Sequence, residues 1–163
     1  MEDRQGLQEA YKLDSGVFPA GDTLYVAGTK SLRDVWDNLK IPFGATRHTQ
    51  RYEDASRTLK AMPQIRRVVG HSLGGAVTLE LQRASPNLKT VTYGAPVISA
   101  SGGERHRALF DPVAMFDFGA TTELPRGINP HGYCYLAHGY HAFPKGTMKD
   151  GYTNADQSSS LCR

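Results

Sequence analysis

The chain has 163 residues, of which 39% are hydrophobic and 21% charged, and a formal net charge of +3. Those values fit one soluble globular domain, long enough to bury a real core. No apolar run approaches the length of a membrane span, and Met1 to Gln5 lacks a signal-peptide pattern, which makes a cytoplasmic location the default expectation.

Residues 1–12 suit a short helix with Leu7, Ala10 and Tyr11 on one side. Asp14-Ser15-Gly16 and Pro19-Ala20-Gly21-Asp22 are turn clusters flanking a short strand at Val17-Phe18. Thr23 to Ala27, a compact apolar run bounded by turn signals, reads as the first central strand and ends at Gly28-Thr29. Between Ser31 and Lys40, Leu32, Val35, Trp36 and Leu39 recur at helical spacing, with Ser31 placed to cap the amphipathic helix they predict. Ile41-Pro42-Phe43-Gly44 ends it. A further helix runs from about Gln50 to Ala61, with Tyr52, Ala55, Leu59 and Met62 on one face, and Pro63 stops it.

Ile65 to Val69 is the next strand, apolar except for Arg66 and Arg67. It runs into Gly70-His71-Ser72-Leu73-Gly74, a Gly-x-Ser-x-Gly turn. In that pattern the serine occupies a sharp strand-to-helix elbow, in a strained backbone conformation that pushes its hydroxyl out of the sheet. The glycines let helix and strand pass close to the elbow. The N–H of Leu73 faces the place where an oxyanion would form. The helix after it lines up Leu73, Ala76, Val77, Leu81 and Ala84, and Ser85-Pro86-Asn87 closes it. Leu88 to Tyr93 is the third strand, ending at Gly94-Ala95-Pro96. A loop with Ser101-Gly102-Gly103 follows, then a fourth strand over His106–Phe110 with Asp111-Pro112 at its end. Residues 120–132 are loop-rich. Tyr133–Leu136 suits a short strand leading to His138-Gly139-Tyr140-His141. The stretch from Lys145 to Arg163 has few apolar residues and reads as a flexible tail on a single domain of residues 1–144.

Strands alternating with helices imply a mainly parallel sheet with right-handed crossovers and helices on both faces, an α/β fold. Reactive groups in such sheets collect at the carboxyl ends of the strands, where Thr29, Ser72, Gly94 to Pro96 and Asp111 all fall. The basic residues (Arg47, Arg51, Arg57, Lys60, Arg66, Arg67, Arg105 and Arg107) are scattered and read as a solvated surface. They show no nucleic-acid pattern, while the mild positive charge is compatible with weak attraction to anionic lipid headgroups. Cys134 and Cys162 have neither metal-ligand nor redox spacing and are expected as free thiols, a bridge pinning the tail being the lesser reading.

A serine hydroxyl is a poor nucleophile until a base takes its proton, and the base needs an orienting partner. In sheet folds with this elbow the partners follow in the order serine, acid, histidine. Among the downstream acids, Asp111 directly follows a strand and Pro112 fixes its turn; Asp117 is the runner-up. His106 precedes that acid and breaks the order. His138 follows an apolar stretch in a loop able to reach the strand ends, and His131 and His141 stay open. A metal site built from those histidines lacks a completing carboxylate or cysteine. His71, inside the elbow, points elsewhere. Thr29, after Gly28, can give the second oxyanion donor.

From roughly Thr23 to Phe143 the chain resembles the fungal-type (class 3) lipases of the α/β-hydrolase superfamily. Leu24 to Thr29, with Ser31 and Asp34 to Leu39, is similar to the family's strand, oxyanion turn and lid helix. Val69 to Ala76 resembles its nucleophile elbow, Val91 to Pro96 the following strand and turn, Asp111-Pro112-Val113 the acid motif, and His138 to Phe143 the motif carrying the base. The resemblance implies a compact three-layer α/β-hydrolase fold. It also implies a lipase- or esterase-type serine hydrolase with Ser72 as nucleophile, Asp111 as acid and His138 as base, and with Thr29 and Leu73 in the oxyanion hole. It implies no cofactor and no metal, an ester or lipid substrate, and transient contact with a lipid surface. The segment from Ser31 to Leu39 reads equally as a lid and as a core-packing helix. The chain is shorter than the family's usual members, and Ala27 stands where an arginine usually precedes the oxyanion turn. A short-chain ester or an accessible phospholipid is therefore as good an expected substrate as a long-chain lipid. A catalytically inactive interaction module and an acyltransferase are the alternatives.

Overall fold

The computed structural model describes residues 1–29, 49–96, 102–108, 114 and 117–123. The expected helix around Trp36, Asp111, the histidines His131, His138 and His141, the Tyr133–Leu136 strand, both cysteines and the tail from Lys145 lie outside the described residues.

Helix α1 (Asp3–Lys12) buries Leu7 and Ala10. Strands β1 (Val17–Ala20) and β2 (Thr23–Val26) form an antiparallel hairpin in which Ala20 faces Thr23. Gly21, at φ 59°, opens its two-residue turn, a conformation glycine takes without a Cβ penalty. Pro19 and Ala20 thus belong to the strand and not to a turn cluster. Proline is tolerated there because β1 is the edge of the described sheet.

Strands β2, β3 (Arg67–His71), β4 (Lys89–Tyr93), β5 (Glu104–Ala108) and β6 (Thr121–Glu123) lie side by side in chain order, all parallel. Strand β6 corrects the loop-rich expectation for this stretch: it is short and polar, so it carries no apolar alternation. Strand β3 begins later than expected because the Ile65 N–H still closes a turn onto the Met62 carbonyl at 3.0 Å, and pairing with β2 starts where the Arg67 N–H donates to the Asp22 carbonyl at 3.1 Å.

Helix α2 (Gln50–Ala61) is capped by Thr49, whose hydroxyl accepts from the Tyr52 N–H. Helix α3 (Leu73–Ala84) follows β3 through a single residue. Side chains alternate across the sheet. Tyr25, Val69, Val91 and Tyr93 pack with Leu7 and Ala10 of α1. Leu24, Val26 and Val68 pack on the opposite side with Ala55 of α2 and with Val77 and Leu81 of α3. The molecule is therefore a three-layer α/β structure. Both crossover helices share one face, as right-handed crossovers stepping the same way along a sheet require. The other face is covered by α1, which precedes the hairpin.

Three of the arginines expected on a solvated surface are instead structural. Arg67 grips Asp3 with two hydrogen bonds of 2.5 and 2.6 Å. Arg105 pairs with Asp117 at 3.1 Å, the two side chains 8% and 2% exposed. Arg51 is half-buried against backbone. Among the described residues no helix is long and apolar enough to cross a membrane.

Candidate active site

Ser72 is the junction between β3 and α3. Its backbone has φ 54° and ψ −129°, and it is the one non-glycine with positive φ among the described residues. Such a conformation costs about 1–3 kcal/mol and persists only where its surroundings over-determine it. Here the Ser72 N–H donates to the Tyr93 carbonyl at 2.9 Å, and the Ser72 carbonyl accepts from Gly75 N–H at 2.8 Å. The strained residue is thus held from the neighbouring strand on one side and by the first turn of α3 on the other. Close approach demands the flanking glycines. A Cβ on Gly70 would meet the Gly74 carbonyl and the Thr78 hydroxyl. One on Gly74 would meet the carbonyls of Val26 and, at 2.7 Å, Ala27.

The turn after β2 abuts this elbow. A Cβ on Gly28 would lie 2.6 Å from Ser72 Cβ and 2.8 Å from the Tyr11 hydroxyl oxygen. The Gly28 N–H donates to that hydroxyl at 3.0 Å, and the hydroxyl sits 2.5 Å from His71 Nδ1. From the other side, Arg51 Nη1 donates to the carbonyls of both Ala27 and Gly28. Burial pulls the Arg51 guanidinium below its ordinary value, opposed by Tyr11 and Asp54.

Of the residues singled out in the sequence, Ser72 is 2% exposed. Leu73 follows it as the first residue of α3, where an N–H has no partner four residues earlier in the helix. Thr29 follows Gly28 and is half-buried. These two backbone segments meet at the carboxyl edge of the sheet through the contact of Gly28 with Ser72. Asp117, the runner-up acid, is buried in its pair with Arg105, accepting at 3.1 and 3.3 Å. His106 stacks on Tyr93 with ring centroids 5.2 Å apart, and its Nε2 lies 2.8 Å from a Glu104 oxygen. Tyr11 and Arg51 are the residues that sequence reasoning missed. Tyr11 looked like one more apolar position of a helix, and Arg51 like one more surface cation. Their partners are groups distant in sequence, most of them backbone, which leave no mark on residue pattern.

No protein-family model and no curated protein sequence matches the chain. The crystal structure of Lip2 lipase from Yarrowia lipolytica is similar at 21% identity and a TM-score of 0.43, over 63% of this chain and 54% of that one. The chain thus spans about half the length of that lipase.

Proposed function

We propose that the protein is a serine carboxylic-ester hydrolase working through an acyl-enzyme, with Ser72, Asp111 and His138 as its triad. His138 takes the Ser72 hydroxyl proton as the oxygen attacks the acyl carbon. The N–H groups of Thr29 and Leu73 stabilise the oxyanion of the tetrahedral intermediate. The intermediate collapses by breaking the bond to the alcohol oxygen, which receives the proton from His138. Water then gives a proton to His138 and attacks the acyl carbon, and the second tetrahedral intermediate breaks its bond to Ser72 Oγ, which takes the proton back from His138 as the carboxylic acid leaves. Asp111 holds the His138 ring in the required orientation.

The observation that carries this reading is the strained Ser72 at a strand-to-helix junction, with the Gly28 turn packed directly on it. Strain kept at one residue by a surrounding hydrogen-bond frame is characteristic of functional positions, and this one sits where α/β sheets collect reactive groups. The substrate class is an ester or lipid, with transient contact at a lipid surface. A short-chain ester or an accessible phospholipid is as good a candidate as a long-chain lipid.

The test is a series of p-nitrophenyl esters of rising acyl length, with and without a lipid interface, on the wild type and Ser72→Ala. The expected result is hydrolysis that Ser72→Ala lowers by at least about 10⁴-fold with an unchanged circular dichroism spectrum. Equal turnover by the two proteins contradicts the proposal.

A further inference from the structure

We propose that Arg51 is a positioning residue that sets the orientation of the Gly28–Thr29 peptide against Ser72. The inference rests on the esterase reading for its catalytic consequence, while the positioning itself is a property of the turn.

In an extended strand successive carbonyls point to opposite sides, so one donor cannot serve two in a row. Arg51 Nη1 nevertheless donates to the consecutive carbonyls of Ala27 and Gly28. The chain has therefore left strand geometry at Gly28, and the guanidinium holds the two carbonyl dipoles on one side. A trans peptide directs its N–H opposite to its C=O. Binding the Gly28 carbonyl thus aims the Thr29 N–H away from Arg51. The preceding peptide shows the same arrangement from both ends: its carbonyl goes to Arg51 and its N–H to the Tyr11 hydroxyl. The Tyr11 oxygen and Ser72 Cβ both lie on the Cβ side of Gly28.

The two jaws come from opposite layers. Tyr11 belongs to α1, which covers one face of the sheet, and Arg51 to α2, which covers the other. A glycine at position 16 leaves room for the guanidinium, because a Cβ there would run into it. The Gly16 carbonyl in turn accepts the Ala27 N–H at 2.8 Å. A lysine ammonium could also donate to two carbonyls from its one nitrogen, but on a shorter, more flexible and more strongly hydrated side chain, so it meets this geometry only in part.

The experiment compares wild type, Arg51→Met and Arg51→Lys by residue-resolved amide hydrogen exchange, ester kinetics and thermal unfolding. Arg51→Met is expected to speed exchange at Gly28 and Thr29 at least tenfold, with core strands still protected. It should lower kcat by about 10²–10³-fold with KM within threefold, and Arg51→Lys should recover part of both. Unchanged exchange at Gly28 and Thr29 in a folded Arg51→Met protein overturns the proposal, as does a kcat loss matched by an equal loss of overall protection. Should Arg51→Met fail to fold, Arg51→Lys decides by the same two criteria. If the wild type hydrolyses no ester, the esterase reading fails by itself, and the exchange rates still judge the positioning.

Discussion

Gly74 shows how one atom governs the junction. Its missing Cβ lets the first turn of α3 slide against the Val26 and Ala27 carbonyls, which are backbone and have little freedom to yield. Gly74→Ala is expected to cost about 1–3 kcal/mol by overpacking and to lower ester hydrolysis, because the displaced turn carries Ser72. Gly21→Ala is the control: nothing lies within 4 Å of a Cβ there, and only its positive φ of 59° is penalised. Urea unfolding of both variants separates the two effects. A Gly74→Ala protein no less stable than Gly21→Ala would show that the close approach does not govern the junction. At this scale the sequence was informative where a residue's own chemistry is unusual. Ser72 between glycines is such a case. It was uninformative for Arg51, Arg67 and Arg105, because a cation's burial depends on which distant groups the fold brings to it.

Among the elements, α1 is tied to the sheet by a buried polar cluster that no periodicity announces. Asp3 takes both Arg67 bonds and accepts from the Tyr93 hydroxyl at 3.1 Å, while the Tyr25 hydroxyl donates to the Met1 carbonyl at 3.1 Å. Burial first, and the Asp3 carboxylate second, push Tyr25 up to about 12 and raise Tyr93 as well. Unfolded, both titrate near about 10. Above that pH the unfolded chain has lost protons that the folded protein keeps. The contribution is therefore whole below pH ~10 and is lost as pH rises toward 12, by about 1.4 kcal/mol per pH unit for each tyrosine. Denaturant unfolding between pH 8 and 11 should show a plateau and then a fall, shallower in Tyr93→Phe; stability flat to pH 11 contradicts the assignment. The hairpin and β6 were the elements least legible in the sequence. Pro19 resembles punctuation until the edge position of β1 is known, and Thr121–Glu123 has no apolar residue to mark it. The helix from Gln50 to Ala61 was legible to its ends because its apolar stripe and terminating proline agree.

For the whole molecule, alternation of strands and helices was enough to expect a parallel sheet with its carboxyl edge as the place for chemistry. What the alternation did not contain is that α2 and α3 share a face and that α1, ahead of the hairpin, seals the other. That arrangement brings Tyr11 and Arg51 to the Gly28 turn from opposite layers, so all three layers support the junction at Ser72. The proposed esterase activity requires that this junction hold an activated serine. Fluorophosphonate labelling at neutral pH, read by intact mass and peptide mapping, tests it most directly, since the probe modifies only a serine whose proton a base removes. A single adduct on Ser72 is expected in the wild type and none in Ser72→Ala; an unlabelled wild type, or an adduct that survives the substitution, contradicts the esterase proposal.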